Sequence, residues 1–257
     1  MPTQVWIHKK PSQKNGVVLV GLPGIGLVGK IVVDYLVKEL KPQKIAEITC
    51  DSFPAAVLTK NGTIELFKDE IHHFAHKGKD FYIVSGPVQP NWDQSNGSTD
   101  AQYDFARTLI TAFKELKINE VYTLAGLHTD QRMTHAPKVI ISATDPKTLA
   151  DWKKVGAKSD QPEGMVWGAA GMLLGIGKMQ GIPGACLMGE TSGKLVYGDP
   201  GASKAVLDLL IKKFGFKVKM ERMDSEAKQI EIAFKKLAET VQQEDGKEKK
   251  SDLSYVR

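Results

Sequence analysis

Residues Val17–Leu40 read VVLVGLPGIGLVGKIVVDYLVKEL. Val17–Val20 is an uninterrupted apolar run, the composition of a strand buried on both faces. Gly21, Gly24, Gly26 and Gly29 crowd the turn that follows. Val28, Ile31, Val32, Tyr35, Leu36 and Leu40 then recur at helical spacing, which predicts a helix over Leu27–Leu40 that ends at Lys41-Pro42. A buried strand feeding a helix through a tight glycine turn is the unit from which α/β layer folds are built.

Working outward, strands are expected at Gln4–Ile7 and Ile45–Cys50, and then in quick succession at Thr63–Phe67, Ile71–Ala75 and Phe81–Val84. The links Lys68-Asp69 and Lys77–Asp80 are too short for parallel crossovers, so these three are expected to pair as antiparallel hairpins and the sheet to be mixed. A loop over Gly86–Ser98 leads to a helix over Thr99–Leu116, and strands follow at Val121–Leu124 and Val139–Ser142. Asp145-Pro146 and Asp199-Pro200 each supply a capping carboxylate followed by proline, and they predict helices over Pro146–Val155 and on to Phe214. Trp167–Met179 reads as a helix rich in small residues, and Gly184–Met188 as a strand. The expected domain is an α/β core over residues 1–216.

The glycines also match a literal Gly24-x-Gly26-x-x-Gly29 dinucleotide fingerprint, with Glu47 about 18 residues on, near where a ribose-binding acid would stand. Gly24, Gly26 and Gly29 are therefore candidate anion-binding positions at a helix N-terminus. The preferred reading is that they allow tight strand-to-helix packing and a positive φ angle. A P-loop is excluded: Lys30 is followed by Ile31, where that motif needs a hydroxyl for magnesium.

At 257 residues the chain can bury one large core without metal or disulfide staples. The only cysteines, Cys50 and Cys186, sit in apolar runs and point to a reducing compartment. No apolar stretch reaches the length of a membrane span, and MPTQVWIHKKPSQKNG lacks the hydrophobic core of a signal peptide. A cytoplasmic protein is expected. The net charge of +5 is spread among alternating lysines and acids without a basic block, so neither nucleic acid nor membrane is an expected partner.

His72, His73 and His76 share one predicted strand. Residues 72 and 76 lie about 13 Å apart at the roughly 3.3 Å rise of a strand, too far to share a metal, so a solvent-facing strand is the expected setting. The catalytic candidates are His128 and Asp130, in a loop after a buried strand, with Glu190 at the end of LMGET. They form no recognised catalytic motif, no cofactor or metal site is expected, and an enzyme is not the expected reading.

GLPGIGLVGK, the Phe53-Pro54 step, Gly86-Pro-Val-Gln-Pro90, VYTLAGL, WGAAGMLLGIG, LMGET and GDPGASKAVL, in that order over about Val17–Leu210, resemble the archaeal branch of the proteasome assembly chaperone family. The resemblance implies a three-layer α/β/α sandwich like that of nucleoside phosphorylases but without an established catalytic role. It also implies oligomeric members that help assemble proteasome α-rings. Archaeal members are expected to engage the ring through a tail ending hydrophobic–tyrosine–any residue. Here the sequence ends Leu253-Ser254-Tyr255-Val256-Arg257, with tyrosine third from the end.

Independently, Met220, Met223, Ala227, Ile230, Phe234, Leu237 and Val241 keep a heptad rhythm and predict an amphipathic helix over 217–243 as a C-terminal helical extension. A disordered charged tail is expected over 244–257. Partner-binding candidates are thus Met223, Ile230, Phe234, Leu237, Leu253, Tyr255, Val256 and Arg257, with proteasome α-subunits or a proteasome-like complex as the partner and a homo-oligomer as the expected state. The alternative is a nucleotide- or nucleoside-binding enzyme of phosphorylase-like fold.

Overall fold

In β2 (Gly16–Gly21) every residue is buried, and its side chains alternate between two cores. Val17 and Leu19 enter one, Val18 and Val20 the other. That is the geometry of a central strand with a helical layer on each side. The computed structural model describes residues 3–11, 15–90, 100–130, 135–159, 163–192, 195, 198–229 and 232.

β2 lies between β7 (Lys79–Ser85) and β8 (Ile118–His128), parallel to both, and β8 pairs in parallel with β10 (Gly184–Thr191). Antiparallel strands extend this parallel centre on both sides. β9 (Val139–Ala143) closes one edge, and β6 (Asp69–His76), β3 (Gln43–Thr49) and β1 (Gln4–Ile7) the other. The order is β1-β3-β6-β7-β2-β8-β10-β9, a mixed sheet as expected.

Helices α1 (Val28–Leu40), α3 (Pro146–Lys153) and α5 (Pro200–Phe214) cover the Val17/Leu19 face. Helices α2 (Asp100–Glu115) and α4 (Gly168–Met179) cover the other, completing three layers. The predicted caps form: the Asp145 side chain accepts from the Thr148 amide and the Asp199 side chain from the Ala202 amide, each with proline in the first turn. Around the α5 terminus, Phe81, Tyr122, Trp152, Phe214 and Phe216 form a ring cluster with centroids 5.0–5.9 Å apart. Both cysteines are free and buried, and no helix among the described residues is long and apolar enough to cross a membrane.

Three expectations need correction. Thr63–Phe67 does not pair with the strand after it. Its core, β5 (Thr63–Leu66), pairs instead with an unforeseen strand, β4 (Val57–Lys60), through an Asn61-Gly62 turn with φ values of 50° and 79°. Asn-Gly with both residues at positive φ is the signature of a tight hairpin.

Nor is β6 solvent-facing. It lies inside the sheet, where His72 is buried beside Glu70 at 3.1 Å and His73 pairs with the buried Asp80 at 2.7 Å. His76 packs on Phe81 and Phe216, so polar partners and rings permit the burial that the histidines argued against.

The third correction concerns the end of the chain. Residues 217–220 are not helical, and the helix is seen over 221–229. Met223 is fully buried in the α1/α5 core, so it faces its own domain instead of a partner. Tyr35 Oη donates to the Lys219 carbonyl at 2.6 Å, and Lys204 pairs with Asp224 at 3.3 Å. These contacts pin the start of the extension to α1 and α5. Ile230, Phe234, Leu237, Leu253, Tyr255, Val256 and Arg257 lie outside the described residues.

Replacing Met223 by Ala should therefore cost about 2–5 kcal/mol in stability, the range for emptying a buried methionine site. A urea midpoint near that of the parent chain would show that the packing contributes little.

Candidate functional site

The carboxyl ends of β7, β2, β8 and β10 face one end of the sheet, where α/β folds place their sites. The glycine turn closes this end from one side. Gly26 has φ 61°, and a side chain there would run into Thr191. At Gly29 a Cβ would overlap the Leu124 carbonyl of β8, so α1 starts directly against the sheet backbone. Gly24 borders open space. From below, the Asp199 amide donates to the Gly26 carbonyl at 2.8 Å, and Thr191 Oγ1 donates to Asp199 Oδ2 at 2.9 Å.

Beside the turn is a cleft of about 510 Å³, lined in part by Gly24, Gly29, Gln89, Gln102, His128 and Trp167. Gln89 Nε2 donates to the Pro23 carbonyl at 2.7 Å and fixes the turn against the 86–90 loop. Gln102 is 5% exposed and its amide nitrogen is taken up by the Pro90 carbonyl, which leaves Oε1 buried without a partner. No lysine, arginine or carboxylate lines the cleft among the described residues, and His128 is its only titratable side chain. Ile25, Met165 and Trp167 stand exposed at the mouth. The walls suit neutral, largely apolar matter better than a phosphate, which needs a cation or several aligned amides.

The catalytic candidates do not gather around one point. His128 lines the cleft and stands 3.6 Å from Asp130, whose side chain is 97% exposed. Glu190 Oε2 instead lies 3.2 Å from His135 Nε2 and accepts from the Lys138 amide at 2.9 Å. His135 is thus the partner of Glu190, an association that sequence spacing does not reveal. Lys30 pairs with Asp34 on its own helix. Glu47 is on β3, separated from β2 by β6 and β7, whereas a ribose-binding acid belongs on the neighbouring strand. Lys44 and then Lys68, at 2.7 and 2.8 Å, hold its carboxyl down at about 2. Among the described residues no group of histidines, cysteines and carboxylates could hold a metal.

Sequence reasoning missed Asp69. It opens β6, is fully buried, and packs so closely on Gly86 that any side chain there would collide with its carboxylate. Burial pushes its carboxyl from 3.8 up to about 8, against which the Val88 amide and the Lys30 charge act only in part, while Glu70 adds to the rise. Between those values the unfolded chain ionises and the folded one stays protonated, so rising pH favours unfolding until the folded group itself ionises. Asp69→Asn keeps the shape and stays neutral. Its stability relative to the parent should grow from about pH 4 to about pH 8 and then level off, as read from urea midpoints. A difference that does not vary with pH would contradict the neutral carboxyl.

Residues 18–238 match the model of a family described as the PAC2 family. An uncharacterized protein of Methanocaldococcus jannaschii is 34% identical over 225 residues, covering 87% of this chain and 83% of its own. Among solved structures, Pyrococcus furiosus PbaB, described as an archaeal proteasome activator, superposes with a TM-score of 0.82 at 31% identity, covering 92% of this chain and 99% of its own. Pyrococcus furiosus PbaA, described as an archaeal homolog of proteasome-assembly chaperone, superposes with a TM-score of 0.70 at 22% identity over both full chains and shares the fold.

Proposed function

The chain belongs to the PAC2 family, and from that premise we propose that it is a proteasome assembly or activator factor that binds proteasome α-subunits through its surface and C-terminal segment. The observation that carries this reading is the 31% identity to PbaB across 92% of the chain. Two features of the molecule support a binding role over a chemical one. The catalytic candidates at the sheet end are split, His128 standing with Asp130 and Glu190 with His135. Large apolar side chains, among them Met165 and Trp167, face solvent at that same end.

In this reading the protein is a cytoplasmic homo-oligomer. The sequence past residue 229 offers Ile230, Phe234 and Leu237, and the terminal stretch offers Leu253, Tyr255, Val256 and Arg257 to the ring. Contacts at Tyr35 and Met223 fix the start of the extension on the domain. A short linear motif on such a tether gains from the high effective concentration of an oligomer, where several tails meet one ring.

Removing residues 244–257 should leave the circular dichroism and melting temperature unchanged and abolish capture of proteasome α-rings in a pull-down. Undiminished capture by the shortened chain would refute the tail as the docking element.

The cleft at the strand ends supports a second reading, a nucleotide- or nucleoside-binding enzyme. A ligand at about 100 times its dissociation constant adds about 2.7 kcal/mol to stability, so a nucleoside and nucleotide thermal-shift screen decides it. On the chaperone reading no member of the screen shifts the melting temperature.

A further inference from the structure

The hairpin β4–β5 is an arm that contributes no side chain to either core among the described residues. Every residue from Pro54 to Leu66 is exposed, on both strands and both faces. A lone two-stranded hairpin is marginal in water and needs further strands or a packing surface. The register pairs Val57 with Leu66 and Thr59 with Ile64, which places these four side chains on one face. Lys60 and Glu65 fall on the opposite face, with Leu58 and Thr63. Leu58 aside, the apolar side chains collect on the first face, the pattern of a ribbon with one face to be buried, yet Ile64 is 70% and Leu66 65% exposed.

The arm leaves the sheet between the end of β3 and the start of β6. Glu70 of β6 pairs with Ser85, which in turn pairs with Gly21, so the arm projects from the same end as the glycine turn and the cleft. That end therefore carries a convex apolar ribbon and a concave cleft whose mouth is formed by Ile25, Met165 and Trp167.

We infer that the apolar face of the arm docks in the cleft of a second copy of this chain. Shape and charge argue for a second copy: one molecule carries both complementary halves, neither presents a charged side chain to the contact among the described residues, and its own arm lies free of its own cleft. Exchanged reciprocally about a two-fold axis, two arms and two clefts bury the contact twice and close the assembly. The match extends to the polar groups. The cleft holds one buried acceptor without a partner, Gln102 Oε1, and Thr59 brings the one hydroxyl on the arm's apolar face. The inference rests on the self-association proposed above and specifies its contact.

Light scattering and sedimentation on the full chain test it with two double variants at exposed positions. An arm variant, Ile64→Asp with Leu66→Asp, and a mouth variant, Ile25→Asp with Met165→Asp, should each keep the parent circular dichroism and weaken association by about tenfold or more. Mixed in equal amounts, the two should associate more strongly than either alone though less than the parent, because the intact arm of one meets the intact cleft of the other while the second contact stays broken. A monomeric parent chain would overturn both the contact and self-association. Variants that associate like the parent, or a mixture that does not recover, would overturn the arm-in-cleft contact and leave self-association standing. An arm variant that keeps its oligomeric state but loses capture of α-rings would reassign the arm to the client.

Discussion

The close approach of the glycine turn to the sheet backbone governs this molecule. A Cβ at Gly29 would overlap the Leu124 carbonyl, and one at Gly126 would overlap the carbonyl of Ile25. With no side chain between them, the first turn of α1 seats directly on β8, and the turn is drawn over the ends of β2, β8 and β10. Thr191 and Asp199 lock it from the α5 side. The same glycine spacing serves nucleotide-binding folds because bare backbone can approach a phosphate closely. Here the atoms closest to Gly26 and Gly29 belong to the protein itself. What remains beside the turn is a neutral, apolar cleft.

Much of the fold was legible because its signals are local. The Val17–Val20 run, the helical spacing to Leu40 and the two Asp-Pro starts each report a feature that their own residues create. The proteasome-chaperone resemblance, read from seven short motifs, is upheld by the family match over 18–238. Failures came where partners are distant. β8 runs from Ile118 to His128, well beyond the expected Val121–Leu124, because backbone pairing with β2 and β10 continues past Glu120 and Gly126, which break the apolar run. β6 looked solvent-facing because histidines are polar, and only the structure supplies Asp80 and Glu70 as their partners. The Asn61-Gly62 signal stood in the sequence. Its first strand, Val57–Lys60, is only four residues long and carries a lysine, so the apolar pattern beside the turn is weak.

The site was less legible than the fold, and the reason is physical. Glu190 and His135 are 55 positions apart and meet only because β10 pairs beside β8. Asp69 carries no motif at all. Its setting follows from burial under the 86–90 segment, and a carboxyl made neutral by its surroundings leaves no mark on local spacing. Heptad spacing, too, states only that a helix face is apolar. Whether that face meets its own domain or another chain depends on what lies opposite, and for Met223 it is the domain's own α1/α5 core.

The molecule divides into a closed folded body and an exposed apolar periphery. The folded part is closed: its two cores are filled, its caps are formed, and its extension is fastened at Lys219 and Met223. The apolar groups left outside are concentrated at one end of the sheet, on the arm and around the cleft mouth. Exposed apolar area adds nothing to the stability of a lone chain and lowers its solubility, whereas covering it favours association. Residues on the arm can therefore change without unsettling either core, because they touch neither. The strength of contacts made by the arm can thus be tuned apart from the stability of the fold.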